Sequence, residues 1–185
     1  MFADLLLETK RLIIRPFTMA DCHAVHRLVG NERVVRHLPE GVWSLEQVRA
    51  AIDWFIDCYR ENRPDRIVKF CVAVTLKQNG EVIGWYGLGP FDPFPERIEL
   101  FCGFALERWN QGYATEAGRA LLDYGFRVVA LPEIVASVSP SNPGSRRLVE
   151  KLGFKLEKTL AGLPQEYSDY EGHGYFRLKS EDFRP

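Results

Sequence analysis

The stretch from Arg97 to Val138 limits the possible folds of this chain more than any other. Arg97 to Leu106 reads as a strand, and a turn, Trp109-Asn110-Gln111-Gly112-Tyr113-Ala114-Thr115, follows it. From Gly112 to about Val129, the residues Ala117, Ala120, Leu121, Tyr124 and Val128 fall on one helical face. Pro132 ends that segment, and Ile134-Val135-Ala136-Ser137-Val138 reads as a short buried strand. Strand, helix and strand in this order make a βαβ unit, whose strands run parallel through a right-handed crossover. Ligands in such sheets lie beyond the carboxyl ends of the parallel strands. Here those ends are Ala105-Leu106 and Val138-Ser139, so the chemistry is expected between them.

The flanking segments alternate between the helical and strand periods, which favours one mixed domain over residues 1–185. Leu12 to Pro16 predicts a first strand, ended by the proline. Thr18 and Asp21 offer caps for a helix over about 19–29. Ser44 with Gln47 has the pattern of a capping box, and Val48, Ile52, Phe55, Ile56 and Tyr59 continue it at helical spacing. Ile67 to Leu76 and Glu81 to Gly89 read as strands around an Asn79-Gly80 hairpin turn. A looser proline-rich loop is expected from Pro90 to Pro95. Asn142 can cap a later helix that Gly153 closes in the left-handed conformation. Two last strands are expected near 154–158 and 170–179.

Charge and cysteine usage remove several functional classes. With 24 Lys+Arg against 25 Asp+Glu the chain lacks the basic excess of a non-specific nucleic-acid binder. Cys22, Cys58, Cys71 and Cys102 form no C-x-x-C pair, and His23 and His26 lack a third ligand, so no metal site is expected. Reduced, buried thiols suit a cytoplasmic protein. No apolar run is long enough to cross a membrane, and the first ten residues lack the basic start of a signal peptide.

The turn before the central helix is suited to an anion. Free N–H groups and the positive end of the helix dipole converge there, Gly112 permits close backbone approach, and Arg108 is placed to add charge. The turn is neither a Walker loop nor a dinucleotide fingerprint, since no G-K-[ST] or G-x-G-x-x-G occurs. Glu99-Leu100 through Trp109-Asn110-Gln111-Gly112-Tyr113-Ala114-Thr115-Glu116-Ala117 instead resembles the coenzyme A loop of the GNAT superfamily of N-acetyltransferases, more narrowly its Rim-type ribosomal-protein branch. Asn142-Pro143-Gly144-Ser145 and Leu148-Val149-Glu150-Lys151-Leu152-Gly153-Phe154 resemble that branch's second motif. Glu8-Thr9-Lys10-Arg11-Leu12 with Ile14-Arg15-Pro16, and Tyr175-Phe176-Arg177-Leu178 with Glu181-Asp182-Phe183, resemble its first and last strands.

The resemblance implies an α/β (α+β) fold, with a mixed, mostly antiparallel sheet, one parallel pair splayed around the cofactor and helices on both faces. It implies acetyl-CoA as cosubstrate and an amine acceptor, either a protein N-terminus or a small molecule, and it leaves monomer or homodimer open. The backbone of Phe104, Ala105 and Leu106 would pair with the pantetheine arm. The N–H groups of Trp109, Asn110, Gln111, Gly112, Tyr113 and Ala114 would hold the pyrophosphate, and Asn142 would contact the pantetheine or acetyl end. Gly103, a glycine inside a strand, suggests a bulge or close backbone approach.

Acyl transfer to nitrogen needs an uncharged amine, so a carboxylate base is expected. Glu99 stands at the family's carboxylate position, with Glu96 as a weaker alternative. Much of the superfamily places a tyrosine acid where this chain has Val149, and Ser145 is the polar residue matching the Rim-type pattern. Cys102, without a partnered histidine, is expected to be core, so direct transfer is expected rather than an acetyl-cysteine. Trp43, Trp54, Trp85, Tyr86 and Phe91 are expected mostly in the core, with Trp85 and Tyr86 also candidates for an acceptor wall. A chain lacking the tyrosine could instead be a non-catalytic acetyl-CoA-binding regulatory module.

Overall fold

The computed structural model describes residues 1–38 and 41–185. In chain order it contains β1 (Leu7–Glu8), β2 (Leu12–Pro16), α1 (Cys22–Val29), α2 (Glu32–Val35), α3 (Leu45–Glu61), β3 (Phe70–Leu76), β4 (Val82–Phe91) and β5 (Phe94–Phe104). Then come α4 (Tyr113–Arg127), β6 (Glu133–Val138), α5 (Pro143–Lys151), β7 (Lys155–Thr159) and β8 (Gly174–Lys179). Among the described residues the strands form one eight-stranded sheet in the order β1-β2-β3-β4-β5-β6-β8-β7. β5 and β6 pair in parallel and the other neighbours are antiparallel. This is the mixed sheet with one parallel pair that the sequence predicts.

The caps explain where the helices begin. The Gln47 N–H donates to Ser44 Oγ (3.2 Å) and the Ser44 N–H to Gln47 Oε1 (2.8 Å), so α3 starts at the expected capping box. The Ser145 N–H donates to Asn142 Oδ1 (3.0 Å), Pro143 follows the cap, and Gly153 at φ +97° closes α5. The helix predicted over 19–29 begins instead as a 3-10 turn, Met19–Asp21, and α1 starts at Cys22. Thr18 and Asp21 cap that turn as expected: the Asp21 carboxylate accepts from the Thr18 N–H (2.8 Å), and it also accepts from both terminal nitrogens of Arg15 (2.8 Å each).

Two layers cover the sheet. Leu121 and Leu122 of α4 and Val149 of α5 lie in one cluster with Val72, Val74, Leu88, Ile134 and Ala136. On the other face α1 and α3 bring Val25, Val48 and Ile52 onto Cys71, Ala73 and Trp85. β3 is therefore buried along its whole length, and its alternation separates two covered faces rather than core from solvent.

Several boundaries differ from the sequence expectation. Pro90 does not open a loose loop. β4 runs on to Phe91 and β5 begins at Phe94, with the register shifting between Pro90 and Phe91. Phe91, fully buried, holds that tip against Val135, Leu160 and Tyr175. β5 ends at Phe104, and Leu106 lies in a 3-10 turn, Leu106–Arg108. Gly103 marks no bulge, because its pairing with Trp85 is in register. A Cβ there would sit 2.2 Å from the Trp85 ring, so the glycine makes room for the indole. Val128 follows the last turn of α4 and is half exposed, as is Trp54 on α3. Residues 170–173 precede β8 rather than belong to it.

Candidate active site

The parallel pair is the structural origin of the cleft. β5 and β6 are paired at Glu99 opposite Val135. Beyond that point β5 stays with β4 as far as Phe104 opposite Gly84, while β6 stays with β8 as far as Val138 opposite Gly174. The two halves of the sheet thus part toward their carboxyl ends. The Ala105 N–H donates to the Ile83 carbonyl (2.9 Å), which fixes the alternation of the antiparallel ladder. Phe101 and Gly103 spend their backbone groups on β4, and Cys102 and Phe104 turn theirs toward the cleft. Of the three residues expected to offer backbone there, Ala105 has its N–H committed to Ile83 and Leu106 has left the strand. The Phe104 carbonyl accepts the Trp109 indole N–H at 2.7 Å.

The loop into α4 has the geometry of an anion site. Gly112, the N-cap, sits at φ +82°, and no side chain caps the helix. The first N–H groups of α4 are left without the carbonyl partners of a helix interior. Asn110 also takes a positive φ, and Gln111 Nε2 folds back onto the Glu107 carbonyl (2.6 Å). Tyr113 and Ala114 pack their side chains against the core, and the Tyr86 hydroxyl donates to the Ala114 carbonyl (2.9 Å). Tyr86 is thus a buried brace of the loop and Trp85 a core residue over Gly103; neither is an acceptor wall. Arg108, expected to add charge to the loop, instead bonds both oxygens of Glu81 (3.0 and 2.9 Å). The guanidinium beside the loop belongs to Arg11, whose Nη1 donates to the Gln111 carbonyl (3.0 Å). Open helix-terminal N–H groups next to an arginine fit a pyrophosphate.

Glu99 lies where the strands part. Its Oε1 accepts from the Ser137 N–H of β6 (3.1 Å). Burial raises its pKa to about 7, against the lowering effects of that hydrogen bond and of Lys69, while Asp92 raises it further. Ser137 Oγ lies 3.0 Å from His173 Nδ1, and the His173 ring meets Tyr170 edge-on at 5.8 Å. Burial, and then the charge of His37, hold the His173 imidazole below its usual pKa. The Tyr170 hydroxyl donates to Asp92 (2.9 Å). Beside these groups a cavity of about 370 Å³ is lined by Asp92, Glu166 and Asp169 together with Tyr167 and Tyr170. Glu96, the weaker candidate, is exposed and 3.5 Å from Arg97.

Asn142 and Ser145 stand at the start of α5, after the carboxyl end of β6. The Asn142 carboxamide oxygen is occupied by the Ser145 N–H, and Ser145 is partly buried. Val149 is buried in the core beneath them. Cys102 is partly buried, and burial pushes its thiol up to about 12, which opposes thiolate chemistry. The residues that the sequence does not single out are Arg11, Lys69, Ser137 and His173. Each lies outside the βαβ loop or carries no spacing pattern that would mark it.

The acetyltransferase (GNAT) domain family matches residues 11–155. An uncharacterized N-acetyltransferase of Bacillus subtilis (strain 168), YoaA, is 31% identical over 179 residues, covering 96% of this chain and 98% of the relative. The spermidine N(1)-acetyltransferase of Escherichia coli (strain K12) is 28% identical over 147 residues, covering 80% of this chain and 74% of the relative. A GNAT-family acetyltransferase structure from Bacillus anthracis superposes with a TM-score of 0.78 at 26% identity, covering 96% of this chain and 99% of that one. The splayed pair, the glycine-capped loop and these relatives agree: the chain belongs to the GNAT acetyltransferase family and is an acetyl-CoA-dependent N-acetyltransferase.

Proposed function

We propose that the enzyme acetylates a primary amine by direct attack in a ternary complex, with Glu99 as general base. The observation that carries this reading is a carboxylate held by the Ser137 N–H (3.1 Å) at the point where β5 and β6 part, where burial raises its pKa to about 7. A base poised near neutral pH can take a proton from an amine yet release it to water. Bound acetyl-CoA supplies a thioester whose carbonyl carbon the amine nitrogen attacks as the C–S bond breaks. Glu99 takes the proton lost by the nitrogen. The Ser145 hydroxyl donates a hydrogen bond to the departing sulfur, which leaves as a thiolate and takes its proton from water, while Glu99 returns its own proton to water; a tyrosine at Val149 would otherwise face that sulfur. Cys102 and Phe104 offer the strand edge to the pantetheine arm, the N–H groups from Trp109 to Ala114 receive the pyrophosphate, and Asn142 reaches the acetyl end through its amide NH₂.

The acceptor most compatible with the neighbouring cavity is a small cationic amine. Asp92, Glu166 and Asp169 make that cavity acidic and two tyrosines give it walls, which suits a polycation better than a protein N-terminus. A relative named as a spermidine acetyltransferase supports the same class.

The test is calorimetry of acetyl-CoA with the wild type and Gly112→Glu, followed by thiol release over a panel of polyamines, monoamines and peptide N-termini. Binding lost in the variant, with thiol release strongest for polyamines, is the expected result. Binding without release on any of these amines would overturn the proposed acceptor class. Release confined to peptides would move the acceptor to protein termini.

A further inference from the structure

We infer that Arg11, on the turn between β1 and β2, is a positioning residue that prepares the α4 loop to receive the pyrophosphate. This rests on the reading of that loop as the pyrophosphate site. Arg11 lies about 100 positions from the loop in sequence, yet it is fastened to it at several points. Its backbone N–H donates to Glu116 Oε1 (2.8 Å) and its Nε to Glu116 Oε2 (2.7 Å). Thr9 Oγ1 adds a third bond to the same carboxylate (2.6 Å). Arg11 Nη1 donates to the Gln111 carbonyl (3.0 Å), and the guanidinium carbon lies 4.1 Å from the centroid of the Tyr113 ring. Nη2 is the atom nearest to where a Cβ on Gly112 would stand, at 3.4 Å.

Two consequences follow for an anion. First, a trans peptide holds its C=O and N–H on opposite sides. With the Gln111 carbonyl gripped by Arg11, the Gly112 N–H points away from Arg11 and a carbonyl dipole that would repel phosphate is turned aside. Second, Glu116 lies in the first turn of α4. A carboxylate there suits the helix dipole but repels an arriving pyrophosphate. Arg11 neutralises it in place, through a fork that a lysine cannot reproduce. The residue thus fixes both the orientation of the loop's dipoles and the charge around them.

The experiment compares the wild type, Arg11→Met, Arg11→Lys and the double variant Arg11→Met/Glu116→Gln. Calorimetry reads the binding of acetyl-CoA and of acetyl-pantetheine, a donor without the pyrophosphate, and thermal unfolding reports folding. The expected result is an acetyl-CoA Kd about ten- to hundredfold weaker in Arg11→Met. Acetyl-pantetheine binding should stay within about twofold, Arg11→Lys should recover only part of the loss, and the double variant should bind better than Arg11→Met alone. Should Arg11→Met fail to fold, Arg11→Lys carries the same comparison between donors. Equal losses toward both donors would mean a general structural role and overturn the proposal, as would wild-type affinity in folded variants. A wild type that does not bind acetyl-CoA would instead remove the pyrophosphate reading itself, and this proposal with it.

Discussion

As the proposed base, Glu99 would tie stability and catalysis to one proton. Its carboxyl is raised from an ordinary glutamate value to about 7, mainly by burial. Such a group contributes stability in full below its unfolded pKa, and that contribution is lost as pH rises through 7. At pH 8 the folded protein therefore carries an ionised, poorly solvated carboxylate at a cost on the order of 2–3 kcal/mol. Glu99→Gln removes that charge and keeps an oxygen for the Ser137 N–H. The variant should melt higher than the wild type at pH 8, and the gain should shrink as pH falls toward about 4.5. Its kcat/KM should drop by about 100-fold or more, and the acid limb near pH 7 should vanish from the pH–rate profile. Equal melting temperatures at pH 8 would show that the carboxylate is well solvated. The position of Glu99 was legible in the sequence, since it lies on the strand entering the loop. Its pKa was not, because burial, Ser137, Lys69 and Asp92 all act on it through the fold. Arg108 misled for the same kind of reason: its proximity to the loop in sequence says nothing of Glu81, which captures it.

At the scale of elements, the sequence predicted best where a local rule dominates. The Ser44–Gln47 box and the Asn142 cap place α3 and α5, because each is a bond between residues three apart. It failed where tertiary packing dominates. Pro90 reads locally as a breaker, but the burial of Phe91 carries β4 through it. The four-residue α2 has no periodicity to detect. Gly103 belongs to this second kind. Its absent side chain serves Trp85 on the adjacent strand, a partner invisible to any window around residue 103. Gly103→Ala would force the Trp85 ring out of a position 2.2 Å from the new methyl. Overpacking of this sort costs about 1–3 kcal/mol. The unfolding free energy from urea titration should fall by that amount, through a lower midpoint at an unchanged slope, and a midpoint within error of the wild type would show that the ring moves freely.

Across the whole molecule, one half of the sheet ends in β5 and the other begins in β6, and their pairing at Glu99 and Val135 is where the cleft starts. A cosubstrate in that cleft touches both halves and should stabilise them together. Acetyl-CoA at about 100 times its Kd adds about 2.7 kcal/mol. For a chain of 185 residues, each kcal/mol moves Tm by about 2–4 °C, so a rise of about 5–10 °C is expected. Gly112→Glu should abolish the shift while folding at a slightly lower temperature, since a side chain is strained at φ +82°. Amide exchange distinguishes binding in the cleft from binding elsewhere. The Phe101 and Gly103 amides already donate to β4 and should change little. Those of Cys102 and Phe104 face the cleft and should slow when the pantetheine arm pairs with them. Protection of all four alike would indicate general tightening of the sheet. Protection of the alternate pair alone would place the cosubstrate along β5, because a ladder presents every second amide to each neighbour.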